Sequence, residues 1–516
     1  MATFTFATTD GSSTVYLTQN ALSTLRAWPT EVLITHGART VVCSVVPIIE
    51  EGNVIPVTPD VLTGAGILDD IPYRLRWTGP AQLSVGPVIG IHVADGDPAS
   101  APLPGGFYSL FLLKYPQVQG LVYVFGTSGI DIDQEVIEGY YWQPTHGPVP
   151  VWETPEKMER LASRVRNDAR AEAVGQGYNA RTERFLAAGD RYMQETSGSP
   201  VLAEMHTALP GYGGFRPGRF PFPSAIWRRS GYLPASVSKA LRLKRGGRMY
   251  NSSFFDKLYG YELVSKYPGL TAHIPDTRVL QDFGTIEEFL DRDGSVVLKR
   301  REGNSGYGMM LVDSTGTDYE LRVRESRSSE RFRDIDSLLK RLASATRGRQ
   351  YLVQRRVYLP SYNGRLVDFR VFMQKDDRAR WVVQAIVGRF GATQSIVTSF
   401  INRGYATDAD EAIRRAFNVN WRQAYRLKVQ LVDLAMDVCE ALDDSGGSYG
   451  DLGLDIGIDV DRRTWLFEVN KLPFHEMLLY AGDQQGYFRV KSGPLLYGAY
   501  LAGFGQDTET PTSSGQ

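Results

Sequence analysis

Residues 450–470 read GDLGLDIGIDVDRRTWLFEVN, in which two apolar runs flank a short charged turn. This pattern predicts a β-hairpin. Asp455 lies on the first strand, while Glu468 and Asn470 stand two residues apart on the second and share one face of the sheet. A turn centred on residues 461–462 brings Asp455 opposite that pair. Two carboxylates and an amide oxygen are hard ligands that suit Mg²⁺, and the alternative is a strand pair with solvent-facing acids.

A second signal lies upstream at residues 295–312, which read SVVLKRREGNSGYGMMLV. A strand ends in Lys299, a loop with three glycines follows, and a second strand begins, so the hairpin can close over a polyphosphate. Gly306 and Gly308 let the backbone approach closely, and their N–H groups can donate to phosphate oxygens. The spacing is not that of a Walker loop or a dinucleotide-binding fingerprint. The alternative is a glycine-rich turn with an exposed lysine.

Two flanking stretches add to this picture. Lys257 follows Asn251–Ser253, which offer helix N-cap chemistry ahead of apolar residues at helical spacing. Residues 351–357 predict an apolar strand that turns polar, and its edge at Gln354 and Val357 can offer groups to adenine. Taken alone, Lys257 is a solvated helix lysine and residues 351–357 are an ordinary strand.

The sequence resembles the ATP-grasp superfamily in the order of three features along the chain. These are Lys257, the loop after Lys299 and the acidic hairpin. The likeness to D-alanine–D-alanine ligases rests on a lysine-terminated strand, a Glu-Gly-x-Ser-type loop, and an Asp thirteen residues before the Glu of a Glu-x-Asn. The broader likeness is to the endospore coat-associated YheC/YheD-like branch, and it is carried by residues 86–91, 223–229, 367–371, 388–391, 395–398 and 450–474. The resemblance implies an α+β and α/β chain. Its ATP-grasp fold of two α+β subdomains would follow a pre-ATP-grasp α/β domain and a β-rich N-terminal domain.

The resemblance also implies a set of site residues. Those that would bind ATP are two lysines, the closing loop and the strand edge: Lys257, Lys299, Glu302, Gly303, Ser305, Gly306, Gly308, Gln354 and Val357. One or two Mg²⁺ ions would be held by Asp455, Glu468 and Asn470. Arg370 and Arg389 would act in catalysis by facing the transferred phosphate or the acyl phosphate.

The chain departs from the family pattern at three places. Arg300 stands where a proline usually follows the strand lysine, and residues 355–367 hold no acid for the ribose hydroxyls. Gly453 stands where D-alanine ligases carry an arginine, so Arg370 or Arg389 has to cover that role.

The activity that the resemblance implies is Mg²⁺-dependent and ATP-dependent carboxylate–amine ligation. A substrate carboxylate takes the γ-phosphate to give an acyl phosphate, and an amine then displaces phosphate to form an amide or peptide bond. The expected partners are a small molecule or peptide with a carboxylate and an amine acceptor. His475 is the candidate general base, and its alternative role is packing. The alternative functions are a spore-coat-type structural or interaction protein with an ATP-binding fold, and a kinase-like phosphotransferase.

Shifts in composition along the chain predict its division. The expected parts are a β-rich domain at 1–86, an α/β domain at 87–246 with an insertion at about 152–220, a domain at 247–504 that the resemblance assigns to the ATP-grasp fold, and a disordered tail at 505–516. The Gly- and Pro-rich end of the insertion, residues 210–223, is predicted to be a mobile loop. The charged stretch 322–349 is predicted to be an exposed helix.

Charge and cysteine usage exclude several classes. The 516 residues carry 57 Lys and Arg against 58 Asp and Glu, a net charge of −1, which argues against nucleic-acid binding through overall charge. Cys43 and Cys439 lie far apart without CxxC spacing, so neither a disulfide framework nor a structural zinc site is expected. No stretch reaches about 18 apolar residues and no signal-peptide pattern is seen. We therefore expect a cytoplasmic protein with no membrane partner, spore-associated if it follows the family.

Overall fold

The computed structural model describes four β-sheets with helices packed against them. The described residues are 3–23, 28–48, 52–69, 71–93, 95, 119–144, 213–230, 233–244, 248–253, 255–302, 306–324, 326, 328–398 and 404–505. Most of the predicted insertion (152–212) and the predicted tail beyond residue 505 lie outside these ranges.

The first sheet closes into a barrel. Its elements are β1 (Thr3–Thr8), β2 (Thr14–Thr18), helix α1 (Gln19–Leu22), β3 (Glu31–His36), β4 (Arg39–Ile48), β5 (Val54–Val57), helix α2 (Pro59–Ala65), β6 (Tyr73–Gly79) and β7 (Gln82–Gly86). The strand order is β1-β5-β2-β4-β3-β7-β6. Val32, Ile34 and His36 of β3 are buried inside the barrel at the two-residue spacing of a strand with one inward face.

The second sheet contains the buried parallel strands. Its elements are β8 (Val88–His92), β9 (Leu121–Phe125), β10 (Ile130–Asp131), β11 (Val136–Pro144), β12 (Gly213–Pro221), β13 (Ala225–Arg228), helix α3 (Ala235–Lys244) and β14 (Met249–Tyr250). The strand order is β10-β11-β9-β8-β13-β14, and β12 pairs with β11. Every residue of β8, β9 and β13 is buried, as in a parallel sheet covered on both faces.

Strand β12 corrects the expectation of a loop at residues 210–223. It runs antiparallel to β11 from Pro221, opposite Val136, to Gly213, opposite Pro144. Phe220 is buried and stacks on Tyr123 with ring centroids 4.5 Å apart. The aromatic packing outweighs the turn preference of the surrounding Gly and Pro residues.

The third sheet follows two helices and is antiparallel throughout. These elements are α4 (Lys257–Ser265), α5 (Pro268–Thr271), β15 (Thr277–Val279), α6 (Gly284–Asp293), β16 (Ser295–Arg300), β17 (Met310–Ser314), β18 (Tyr319–Val323), β19 (Ser329–Phe332), α7 (Ile335–Thr346) and β20 (Tyr351–Arg355). The order is β15-β20-β16-β17-β18-β19. The single helix expected over 322–349 is wrong, because Arg322 and Val323 end β18, Ser329–Phe332 form β19, and helix α7 begins only after its N-cap, Asp334.

The fourth sheet carries the acidic hairpin. Its elements are β21 (Ser361–Tyr362), β22 (Arg365–Lys375), β23 (Trp381–Phe390), β24 (Tyr405–Asp408), α8 (Ala409–Phe417), α9 (Trp421–Asp444), β25 (Asp451–Ile458), β26 (Thr464–Asn470), α10 (Met477–Tyr480) and α11 (Gln484–Leu501). The order is β24-β23-β22-β25-β26, with β21 beside β22. Helix α9 buries an apolar stripe that includes Leu434, Val438 and Cys439.

Helix α11 joins the second and fourth sheets. Leu495 packs in one core with Trp227 of the second sheet, and Val490 packs in another with Phe372 of the fourth. The third and fourth sheets line opposite walls of one cleft, in which the two sequence signals meet.

Candidate active site

Strand β25 presents four residues to one side of the fourth sheet at two-residue spacing: Asp451, Gly453, Asp455 and Gly457. Asp455 lies opposite Glu468 in the antiparallel register, and one extra residue in β26 forms a β-bulge next to this pair. The hairpin therefore has the pairing that its sequence predicts.

The two glycines of this row leave room for the cleft walls. A Cβ atom on Gly457 would lie 2.5 Å from the ring of Phe467. A Cβ atom on Gly453 would lie 2.9 Å from Pro473 and 3.0 Å from the Cδ of Arg370. A side chain at 453 would therefore displace Pro473 or Arg370.

Asp455 is buried between two arginines. Nη2 of Arg370 donates to its Oδ2 at 3.1 Å, Nε of Arg370 donates to its Oδ1, and Nη1 of Arg389 lies 3.1 Å from Oδ1. Burial opposes ionisation of this carboxyl, but the two guanidinium charges outweigh it and hold the pKa of Asp455 below its ordinary value. Both arginines proposed for catalysis thus reach the proposed metal ligand.

Arg389 also pairs with a second buried acid. Its Nε and Nη2 donate to Asp368 at 2.8 and 2.6 Å, and the hydroxyl of Thr398 donates to the same carboxylate at 2.5 Å. Arg389 therefore bridges Asp368 and Asp455, which fixes the planar guanidinium group in the cleft wall.

Lys257 begins helix α4, and its Nζ lies 3.4 Å from Glu468. The N-cap of this helix is Asp256, whose carboxylate accepts from the backbone N–H of Tyr259 at 2.9 Å. The expectation that Asn251–Ser253 cap the helix is wrong, although Lys257 still enters the cleft beside the hairpin.

Lys299 is buried at the end of β16, on the opposite wall. Its Nζ donates to the hydroxyl of Tyr261 at 2.5 Å, and that hydroxyl donates to the carbonyl of Phe467. Gln354 donates to Thr277 at 2.6 Å and to the Tyr261 hydroxyl at 3.4 Å. Burial lowers the pKa of Lys299 to about 7.

The glycine loop keeps the backbone shape that its sequence predicts. Gly306 and Gly308 both have left-handed backbone conformations, with φ of 70° and 74°. A Cβ atom on Gly308 would lie 2.5 Å from Nε of Arg300, and one on Gly306 would lie 2.9 Å from Val397. Gly303 and Ser305 lie outside the described residues.

These elements enclose a cleft of about 1120 Å³. The predicted site residues that line it are Lys257, Lys299, Glu302, Gly306, Gln354, Val357, Arg370, Arg389, Asp455, Glu468 and Asn470. Residues far apart in sequence therefore meet in one place, with two lysines and a glycine loop facing paired carboxylates.

Residues 246–501 match the family model described as YheC/D-like ATP-grasp. The chain contains a YheC/D-like ATP-grasp domain. The expected family and fold class are confirmed.

Two relatives from Bacillus subtilis (strain 168) are similar to this chain. The endospore coat-associated protein YheD is 26% identical over 261 residues, which are 49% of this chain and 56% of that protein. The endospore coat-associated protein YheC is 21% identical over 227 residues, which are 43% of this chain and 61% of that protein. The chain thus spans less than two thirds of the length of either relative.

Solved structures are also similar to this chain. The VanG D-Ala:D-Ser ligase from Enterococcus faecalis shares 11% identity, covers 80% of this chain and 99% of its own, and has a TM-score of 0.40. The ATP-grasp ligase PsnB with minimal precursor, Mg and ADP shares 13% identity, covers 81% of this chain and 98% of its own, and has a TM-score of 0.38.

The acidic hairpin of the ATP-grasp domain has the donor chemistry for Mg²⁺. Asp455 and Glu468 carry carboxylate oxygens and Asn470 carries an amide oxygen, and Asn470 Nδ2 donates to Asp455 Oδ2 at 3.4 Å. The described residues hold no group of three or more His, Cys, Asp or Glu that could bind a metal. The set of two carboxylates and one amide fits a cation that also takes oxygens from substrate phosphates.

A clamp that the sequence does not signal holds the open end of this hairpin. Nδ2 of the buried Asn251 donates to the carbonyls of Asp451 and Lys471 at 2.7 and 2.8 Å. Its Oδ1 accepts from the backbone N–H groups of Gly450 and Asp451 at 3.1 and 3.2 Å. Asn251 adopts a left-handed conformation with φ of 52°.

The side chain of Asp451 extends this clamp to the second sheet. Arg229 Nη1 donates to Asp451 Oδ2 at 3.3 Å, and Gln374 Nε2 donates to Oδ1 at 2.8 Å. His475 Nε2 lies 3.0 Å from the same Oδ1, and burial lowers the pKa of this imidazole. His475 is fully buried and is not part of the cleft wall, so its contacts are those of a packing residue.

No helix within the described ranges is long and apolar enough to cross a membrane.

Proposed function

We propose that the chain is an ATP-dependent carboxylate–amine ligase that forms an amide or peptide bond. The observation that carries this proposal is the single cleft in which Lys257 and Lys299 face Asp455 and Glu468. A polyphosphate in this cleft would meet the Lys299 ammonium and loop N–H groups on one wall, and the Lys257 ammonium and a set of metal-binding oxygens on the other. The proposed substrates are a small molecule or peptide with a carboxylate and a second molecule with an amine.

The proposed reaction has two steps. A carboxylate oxygen attacks the γ-phosphorus of ATP, the bond from this phosphorus to the β–γ bridging oxygen breaks, and ADP leaves. The amine nitrogen then attacks the acyl carbon, the carbon–oxygen bond to phosphate breaks, and the nitrogen loses a proton to solvent. Mg²⁺ at Asp455, Glu468 and Asn470 would neutralise phosphate charge when bound.

The protein groups contribute positioning and charge. Lys299, with a pKa of about 7 in the cleft, becomes the protonated partner of a nucleotide phosphate because a nearby anion favours the ammonium form. Arg370 and Arg389 are fixed by Asp455 and Asp368, so their guanidinium groups need no rearrangement to meet negative charge that develops beside them.

The test is ADP and phosphate release from Mg-ATP over a panel of amino acids and short peptides, with mass analysis of the products. We expect release only when a carboxylate and an amine are both present, and we expect Lys299→Ala to reduce it at least a hundredfold. Lys340→Ala, an exposed lysine of α7 outside the cleft, is the matched control. Unchanged turnover in Lys299→Ala would show that the site is wrongly assigned.

The second candidate is a structural or interaction role at the spore coat, which the names of both Bacillus subtilis relatives favour. This role needs no turnover. Failure of Mg-ATP to raise the unfolding temperature would support it over the ligase. A stable phosphorylated product without an amide would instead indicate a kinase-like phosphotransferase.

A further inference from the structure

A band of charge crosses the cleft and divides it. On the fourth sheet the band consists of Asp455 with Arg370 and Arg389, continued by Glu468 and its partner Lys257. Apolar residues line the cleft on both sides of this band. The two apolar parts are distinct surfaces, since the charged side chains lie between them.

The first apolar part is the surface that would bind the nucleotide base. Val297, Val357 and Phe467 line the cleft near Gln354 and Lys299, at the level of Gly457 on strand β25. In the proposed function, this part holds the base and leads to the phosphates at Lys299.

The second apolar part lies beyond the charged band, at the level of Gly453. Pro473 packs over Gly453 next to Arg370, and the chain continues into Phe474 and Met477, which line the cleft. Met477 is buried in one core with Phe372 of β22.

A second wall completes this part on the far side of Arg389. Ile396 and Val397 line the cleft there, and a Cβ atom on Gly306 of the glycine loop would lie 2.9 Å from Val397. Thr398 also lines this wall, and its hydroxyl donates a hydrogen bond to the carboxylate of Asp368. Next to Arg389 the cleft wall thus combines the paired Asp368 and Thr398 with the apolar side chains of Ile396 and Val397.

We infer that the carboxylate substrate carries an aliphatic or aromatic group beside its carboxyl, as an apolar amino acid or a peptide ending in one does. The inference rests on the proposed function. The cleft of about 1120 Å³ exceeds the range of roughly 300–1,000 Å³ typical of one drug-sized ligand, so a nucleotide and a second molecule fit together.

The apolar walls favour an apolar over a charged group next to the substrate carboxylate. With the carboxylate at Arg370 and Arg389, the neighbouring group of the substrate would lie against the apolar lining that includes Phe474, Ile396 and Val397. An apolar group gains there by leaving water, whereas a charged group loses hydration against these apolar side chains.

The experiment measures hydroxamate formation from N-acetyl amino acids with hydroxylamine as the amine. The nitrogen of hydroxylamine attacks the acyl carbon and releases phosphate, so the assay does not depend on the natural amine. We expect kcat/KM for N-acetyl-leucine and N-acetyl-phenylalanine to exceed that for N-acetyl-alanine about tenfold. N-acetyl-aspartate and N-acetyl-lysine should fall below N-acetyl-alanine.

Leu472→Lys places a cation at the rim of the second apolar part and should lower the preference for N-acetyl-leucine over N-acetyl-aspartate at least fivefold. Val429→Lys is the control, because Val429 is 37% exposed against 38% for Leu472 and lies outside the cleft. Equal or greater turnover of charged acids by the unaltered protein would overturn the inference while leaving ligation intact. No ADP release with any acid would overturn the proposed function and the inference together.

Discussion

The Nζ atom of Lys299 lies 2.5 Å from the hydroxyl oxygen of Tyr261, and it stands 4.8 Å from the centroid of the same ring. The hydroxyl in turn donates to the carbonyl of Phe467 on β26. One phenol therefore connects the strand-end lysine of the third sheet with the acidic hairpin of the fourth. The Tyr261 hydroxyl therefore fixes the position of the Lys299 ammonium group in the cleft.

Tyr261→Phe tests this connection. The change leaves Lys299 and the carbonyl of Phe467 without the hydroxyl that both use, while the ring and its packing remain. We expect the free energy of unfolding to fall by about 1–3 kcal/mol. We also expect the Kd for Mg-ATP to rise several-fold, because Lys299 is no longer oriented. Urea unfolding and calorimetric titration measure the two effects.

Tyr425→Phe is the matched control for that change, because Tyr425 is 58% exposed on α9. It should alter stability by no more than about 0.5 kcal/mol and leave Mg-ATP binding unchanged. Equal effects of the two variants would mean that the Tyr261 hydroxyl has no positioning role.

Burial of Lys299 predicts a particular dependence of stability on pH. Its pKa is about 7 in the folded chain against 10.5 for a free lysine side chain, so the unfolded chain binds more protons between these pH values. The free energy of unfolding should therefore rise with pH across this window, by at most about 1.4 kcal/mol per pH unit from this group. Below pH 7 both states hold the proton and the penalty on the folded state is complete.

Lys299→Met removes the titrating group and keeps the length of the side chain. In urea unfolding at pH 7, 8, 9 and 10, the variant should be more stable than the parent at pH 7, and the difference should shrink as the pH rises. Parallel curves over the whole series would contradict a neutral lysine at high pH.

The parts of the site that the sequence predicts are those encoded locally. The two-residue period of a strand places Glu468 and Asn470 on one face, and the charged turn sets the register that brings Asp455 opposite. Gly306 and Gly308 are recognisable because few other residues adopt a left-handed backbone.

The parts that sequence reasoning missed depend on partners far along the chain. Asn251 looks like a helix cap, yet its side chain bonds with Asp451 and Lys471, about 200 residues away. One feature of the sequence could have identified Tyr261 as a site residue. It lies one helical turn after Lys257 and therefore on the same face of helix α4. The stretch 322–349 is wrongly predicted to be one helix. It is dense in charged residues, so the alternation of side chains between the two faces of the sheet at the end of β18 is not visible in the sequence.

Asn251→Gly tests the clamp on the hairpin. Glycine keeps the left-handed backbone, so the change isolates the hydrogen bonds of the side chain. Four backbone groups lose their partner at a buried site, and we expect the free energy of unfolding to fall by about 2–4 kcal/mol. Mg-ATP affinity should fall as well, because β25 and β26 are no longer held together at the end that carries Asn470.

Asn363→Gly is the control for this variant, because Asn363 also has a left-handed φ of 51° but is exposed. It should change stability by less than about 0.5 kcal/mol. If Asn251→Gly behaved in the same way, the clamp would contribute nothing measurable.

Gly308→Ala and Gly316→Ala separate backbone strain from steric conflict in the loop region. Both glycines have a left-handed φ, of 74° and 92°, so alanine is strained at either position by about 1–2 kcal/mol. At Gly316 a new Cβ meets nothing within 4 Å, whereas at Gly308 it lies 2.5 Å from Nε of Arg300. Gly308→Ala should therefore destabilise the chain more than Gly316→Ala, and it alone should weaken Mg-ATP binding, since the loop has to move off Arg300. Equal losses of stability, with Mg-ATP affinity unchanged in both variants in calorimetric titration, would show that the loop does not contact the nucleotide.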